Sequence, residues 1–152
     1  MTKRQKQSGR MRIEERVEQC ACFNLRKAAR TVTQIFDDVL QPSGLRATQF
    51  TVLAAAAVSG SVFISDLARE LVMDRTTLTR NLKPLEKRGW VEILPGEDRR
   101  TRSVILTKEG RRVLKKAVPY WKRAQDRVVK QLTPKRWRSL LVHLSETASL
   151  AR

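Results

Sequence analysis

Ile64-Ser65-Asp66-Leu67-Ala68-Arg69-Glu70-Leu71-Val72-Met73-Asp74-Arg75-Thr76-Thr77-Leu78-Thr79-Arg80-Asn81-Leu82-Lys83 carries two short apolar periodicities back to back. Leu67, Ala68 and Leu71 recur at helical spacing, then Leu78, Leu82 and, just beyond, Leu85. The spacing predicts helices over 65–72 and 75–88, joined at Met73-Asp74, with Asp74 as N-cap of the second. With the leucine stripe turned to a core, the opposite face of the second helix offers Arg75, Thr76, Thr77, Thr79, Arg80 and Lys83. These are short hydroxyls and long cations, the side chains that reach base edges and phosphates in a major groove. Pro84 is expected to kink the last turn, and Gly89 to stop the helix.

Downstream, Trp90–Leu94 and Arg102–Leu106 read as two strands around a polar loop, Pro95-Gly96-Glu97-Asp98-Arg99-Arg100-Thr101. The hairpin tip is basic. Arg99, Arg100 and Arg102 suit a narrow minor groove, which attracts arginine. Asp98 would sit too close to phosphate to contact DNA, and reads as the brace for Arg100 or Arg102. Two short helices with a tight turn, followed by a basic hairpin, form a winged helix-turn-helix.

The flanks are helical. Apolar residues from Val17 to Leu40 predict one long helix over 14–40, ended by Pro42-Ser43-Gly44. A packing helix follows over 48–58, with Ser59-Gly60-Ser61 as a turn. Thr107 caps a helix over 108–132, which Pro119 should bend, and Thr133-Pro134 opens the last one. The fold class is mainly α with a small β-hairpin wing: a winged helix-turn-helix over about 47–107, with long terminal helices over about 13–41 and 108–152. Residues 1–12 read as a disordered basic arm. The terminal helices overhang a small domain, so their outer parts need a partner element or a second subunit.

Composition agrees. The 152 residues carry 32 Lys and Arg against 15 Asp and Glu, a net charge of +17. Such a field favours a polyanion. No apolar run is long enough to span a bilayer, the N-terminus lacks the apolar stretch of a signal peptide, and no membrane partner is expected. Cys20 and Cys22, one residue apart, make no disulfide framework, which fits a reducing, cytoplasmic compartment. His143 is the single histidine and no carboxylate or cysteine cluster surrounds it. No metal site, cofactor, glycine-rich phosphate loop or catalytic constellation is therefore expected, and the chain does not read as an enzyme. A basic RNA-binding protein would want aromatics on a sheet, and a protein-interaction module a less cationic recognition face; these are the alternative readings.

The chain resembles the MarR family of regulators. The matching residues are Leu45-Arg46-Ala47-Thr48-Gln49-Phe50, Leu67-Ala68, Asp74 to Arg80, Leu85-Glu86-Lys87-Arg88-Gly89-Trp90-Val91, Asp98-Arg99-Arg100 and Leu106-Thr107-Lys108-Glu109-Gly110. The resemblance covers about Cys22 to Ala148. It implies a homodimer built from the terminal helices and a pseudo-palindromic operator in double-stranded DNA. It also implies repression relieved by a small aromatic or anionic ligand or by oxidation. By the same resemblance Arg75 to Arg80 carry base and phosphate contacts and Arg100 enters the minor groove. Thr101 departs from the aspartate many members have there.

Cys22-Phe23-Asn24-Leu25 is similar to the Cys-Phe-x-Leu of the family's peroxide-sensing branch, which implies Cys22 as a candidate redox sensor. Arg26 and Phe36 stand where that branch has tyrosines. The bland reading of Cys22 is a small apolar residue on an amphipathic helix. Arg26 and Arg30 are the candidates to meet the carboxylate of a small-molecule effector.

Overall fold

A computed structural model of the chain describes residue 13 and residues 17–96 and 101–150. The basic arm therefore lies outside the described residues, as do Asp98, Arg99 and Arg100 at the wing tip. The chain forms two compact units, 1–35 and 36–152.

In the first unit the backbone is helical at Val17 and Glu18, turns at Gln19 and enters α1 (Ala21–Leu40). The uninterrupted helix expected over 14–40 is thus broken at Gln19-Cys20. The Asn24 side-chain amide donates to the Glu18 carbonyl at 2.7 Å and to the Cys20 carbonyl at 3.0 Å. Asparagine competes with the helix for its own backbone groups in this way.

The second unit opens with the end of α1 and a 3-10 turn, Gln41–Ser43. It continues through α2 (Ala47–Ser59), β1 (Val62–Phe63), α3 (Ile64–Glu70), α4 (Arg75–Lys87), β2 (Val91–Pro95), β3 (Arg102–Leu106), α5 (Lys108–Val129) and α6 (Pro134–Ser149). The architecture is mainly α with a three-stranded antiparallel sheet in the order β1-β3-β2. β1 is two residues long, with Val62 opposite Val104 and Phe63 opposite Ser103. Sequence periodicity did not reveal it, because two residues have no period to read.

The core of this unit gathers one face from nearly every element. Leu40, Val52, Leu53, Leu67, Leu78 and Leu82 are among its fully buried side chains. The stripe Leu78, Leu82, Leu85 lies wholly inside, as the spacing required. Pro84 stands in the last turn of α4, and the helix continues to Lys87. Asp37 near the end of α1 accepts the Ala47 N–H at 2.7 Å, supplying the acceptor that the first turn of α2 lacks.

Both helices of the central pair end the same way. After α4, the Trp90 N–H bonds the Leu85 carbonyl and the Gly89 N–H bonds the Glu86 carbonyl, with Gly89 at φ +68°. After α3, the Met73 N–H bonds the Ala68 carbonyl and the Val72 N–H bonds the Arg69 carbonyl. Each is a Schellman motif, which needs a left-handed residue after the helix. In the second case that residue is Val72 at φ +51°, the one non-glycine with positive φ among the described residues.

Candidate nucleic-acid interface

α4 is placed by its buried leucines, so its outer face is fixed by elimination. Arg75, Thr76, Thr77, Arg80 and Lys83 are exposed there, and Thr79 is half-buried. The N-terminal end of this face is rigidly held. Asp74 accepts the Thr77 N–H at 2.8 Å through one carboxylate oxygen and the Thr77 hydroxyl through the other. The Thr77 hydroxyl bond, then the Thr77 backbone bond, hold the Asp74 carboxyl below its ordinary value. The Thr79 hydroxyl turns back to the Arg75 carbonyl at 2.7 Å. Two of the three threonines on this face therefore have their hydroxyl protons engaged within the helix. Thr76 is the third.

Beside it, β2 and β3 pair in register from Val91 opposite Leu106 to Pro95 opposite Arg102. The Gly96 N–H reaches the Thr101 carbonyl at 2.9 Å and closes the described part of the hairpin. Arg102 is exposed at the outer end of β3.

The junction between α4 and the hairpin is tightly tied. The Thr107 hydroxyl donates to the Gly89 carbonyl at 2.6 Å and accepts the Gly110 N–H at 3.0 Å. Gly110 passes so close to the sheet that a Cβ there would lie 1.9 Å from the Trp90 carbonyl oxygen. The Arg88 guanidinium donates to the Gly44 carbonyl at 3.3 Å and lies 4.8 Å from the Trp90 ring centroid. Sequence reading found Thr107 only as a helix cap. Its bond back to Gly89, 18 residues away, has no sequence signal.

Cys22 and Cys20 are exposed free thiols. Arg26 and Arg30 come together on α1, lining a hollow of about 360 Å³ with Phe23, Lys27 and Thr31. A second, apolar cleft of about 480 Å³ lies between α2 and α5. Phe50 and Trp121 stack along it, centroids 5.8 Å apart, with Thr51 and Val118 also in its wall. His143 lies exposed on α6 between Ser139 and Glu146, each at 3.3 Å. Among the described residues no group of three metal-binding side chains occurs, and no helix is long and apolar enough to cross a membrane.

Comparison with known proteins points one way. The MarR family model matches residues 43–101. An uncharacterized HTH-type transcriptional regulator of Bacillus subtilis, YwoH, is 34% identical over 85 residues, which are 56% of this chain and 62% of that protein. The chain thus spans less than two thirds of this curated relative. Among solved structures, the M. tuberculosis transcriptional regulator MosR, in complex with DNA, is 39% identical and superposes with a TM-score of 0.77. That match covers 88% of this chain and 98% of MosR. BpsR of Bordetella bronchiseptica, whose DNA binding is regulated by 6-hydroxynicotinic acid, is 25% identical with a TM-score of 0.77, over 85% and 93% of the two chains. The chain belongs to the MarR family of winged helix-turn-helix transcriptional regulators.

Proposed function

We propose that this chain is a sequence-specific DNA-binding regulator that acts as a homodimer on a pseudo-palindromic operator, with α4 in the major groove and the hairpin in the minor groove. The observation that carries the reading is the outer face of α4. Its leucines are buried, and Arg75, Thr76, Arg80 and Lys83 stand exposed on the opposite side. The DNA complex of MosR supports it. Of the face formed by Arg75, Thr76, Thr77, Thr79, Arg80 and Lys83, the cations and Thr76 contact bases and phosphates while Thr77 and Thr79 pack against the groove, and Arg99, Arg100 and Arg102 serve the wing, braced by Asp98. Symmetry puts the half-sites about one helical turn apart.

The regulator works as a repressor in the cytoplasm, and a small aromatic or anionic molecule or an oxidant releases it. Ligand control of BpsR supports the first trigger. The Arg26/Arg30 hollow supplies cations for a carboxylate, and the Phe50–Trp121 cleft supplies an aromatic wall. Cys22, exposed on α1, is the residue for the second trigger.

Binding to duplex from the DNA flanking its own gene tests the core of the proposal. Specific affinity is expected to fall steeply with salt, and Arg80→Ala to abolish the preference for that duplex over random DNA. Specific binding left unchanged by Arg75→Ala, Arg80→Ala and Arg100→Ala would sink it. For the trigger, organic hydroperoxide and phenolic acids are titrated against wild type and Cys22→Ser. An equal response of both proteins to hydroperoxide removes Cys22 as the sensor.

A further inference from the structure

The excess charge of this protein does not sit where the proposed recognition elements are. Residues 47–107, holding α4 and the hairpin, contain nine Lys and Arg against seven Asp and Glu. Residues 108–152 contain thirteen against three. The winged segment is thus close to neutral, and the C-terminal helices carry more than half of the net +17.

On α5 this charge is organised. Lys115, Lys116, Lys122, Arg123, Arg127 and, at its C-cap, Lys130 are all exposed. Lys108, Arg111 and Arg112 extend the row towards the start of the helix. At 100° per residue all nine fall within about 160° of the helix surface. The other side is taken up by Val113, Ala117 and Ala124, which are buried. Among the described residues only Arg112 and Lys122 in this row form ion pairs, with Glu109 at 2.7 Å and Asp126 at 3.0 Å. Arg123, Arg127 and Lys130 line a shallow hollow of about 310 Å³. The helix has 22 residues, so at about 1.5 Å per residue the stripe runs roughly 33 Å, close to one turn of duplex DNA. Cations in its first turns oppose the helix dipole, so helix stability does not account for them.

We infer that the cationic stripe of α5 is a second, sequence-independent surface for the phosphate backbone of duplex DNA, able to hold a segment other than the one read by α4. This rests on the DNA-binding reading above. Three observations select the partner. A stripe of one sign repels the same stripe of a second copy, so a homodimer of the terminal helices would meet through their exposed apolar residues, such as Trp121, Leu140 and Leu144, and leave the stripe outside. A membrane-surface helix must insert an apolar face, whereas Val113, Ala117 and Ala124 are buried and the exposed Val118 and Trp121 lie in the wall of the α2–α5 cleft, away from the stripe. A linear row matched to a linear polyanion accounts for cations at both ends of the helix, in two groups on either side of Pro119.

The test compares wild type with Lys115→Gln/Lys116→Gln/Arg123→Gln and with a charge-matched control on α6, Lys135→Gln/Arg136→Gln/Arg138→Gln. An immobilised operator duplex is loaded with each protein and asked to capture a labelled random duplex. Wild type and control are expected to capture it, and the α5 variant to lose capture while keeping its operator preference. The slope of log affinity for random duplex against log salt should fall by roughly 2 to 3 in the α5 variant, at about 0.9 per phosphate contact. Arg80→Ala separates the two readings: it should lose operator preference and keep α5-dependent binding of random duplex. Equal capture by wild type and the α5 variant, the same loss in the α6 control, or α5-dependent binding to anionic phospholipid vesicles in place of random duplex would each overturn the proposal.

Discussion

The Thr107 hydroxyl donates to the Gly89 carbonyl at 2.6 Å, tying the residue after β3 to the residue that ends α4. The same oxygen accepts the Gly110 N–H and so caps α5. One side chain thus joins the end of one helix, the base of the hairpin and the start of the next helix. Thr107→Val keeps the shape and removes both bonds. The expected loss is about 1 to 2 kcal/mol, the range for a lost helix cap, read from the denaturant midpoint. Thr107→Ser should recover most of it, and a valine variant as stable as wild type would show the tie to be incidental.

Val72 offers the opposite sign. A β-branched residue at φ +51° is strained, and with 54% of its surface exposed it contributes little burial in return. Asparagine tolerates the left-handed region. Val72→Asn is expected to stabilise by about 0.5 to 1 kcal/mol, raising Tm by roughly 2 °C or somewhat more. Val72→Ile, which keeps the branch, should gain nothing. A lower Tm for Val72→Asn would mean that the Schellman turn does not carry this strain.

How far the sequence reached follows from which signals were local. The leucine spacing in 64–85 placed α3 and α4 to within a residue or two, and Asp74 and Thr107 were recognisable as caps because capping is a short-range pattern. The break at Gln19-Cys20 was hidden, since apolar periodicity runs across it and the Asn24 amide that bonds the Glu18 and Cys20 carbonyls is a side-chain contact with no period to read. β1 was hidden because its pairing partner lies some forty residues on. Of the site, the outward face of α4 was legible, since burying the leucines determines it. The engagement of the Thr77 and Thr79 hydroxyls was not, because side-chain bonding within a helix leaves residue identity unchanged. The Arg88–Gly44 and Phe50–Trp121 contacts are likewise products of tertiary packing alone.

Asp74 gives a pH dependence with a definite sign. Its carboxyl is held below the ordinary value by the Thr77 hydroxyl and then the Thr77 N–H. A carboxyl depressed in the folded state stabilises the fold above its unfolded pKa, near 3.9, and that contribution is lost as pH falls through the lower folded value. Glu109, bonded to Arg112, behaves in the same direction. Stability should therefore decline below about pH 4, and Asp74→Asn should make that decline shallower while leaving the share from Glu109. Identical acid limbs in wild type and variant, measured by thermal unfolding across pH 2 to 6, would mean the Asp74–Thr77 pair carries no linkage.

The threonines of α4 divide by what their hydroxyls are doing. Thr79 is half-buried and its proton goes to the Arg75 carbonyl within the helix, so a base edge gains no donor from it. Thr76 is exposed at the N-terminal end of the face, where a groove-bound helix comes closest to the bases. Thr79→Val should then leave the ratio of operator to random-duplex affinity within about twofold, whereas Thr76→Val should lower it about thirtyfold, one base hydrogen bond worth about 1 kcal/mol being lost in each half-site of the homodimer. The size of the first effect decides whether intrahelical bonding controls which threonines read DNA. A drop at Thr79 equal to that at Thr76 would show that the Thr79–Arg75 bond opens on binding and that all the hydroxyls of this face are available to the operator.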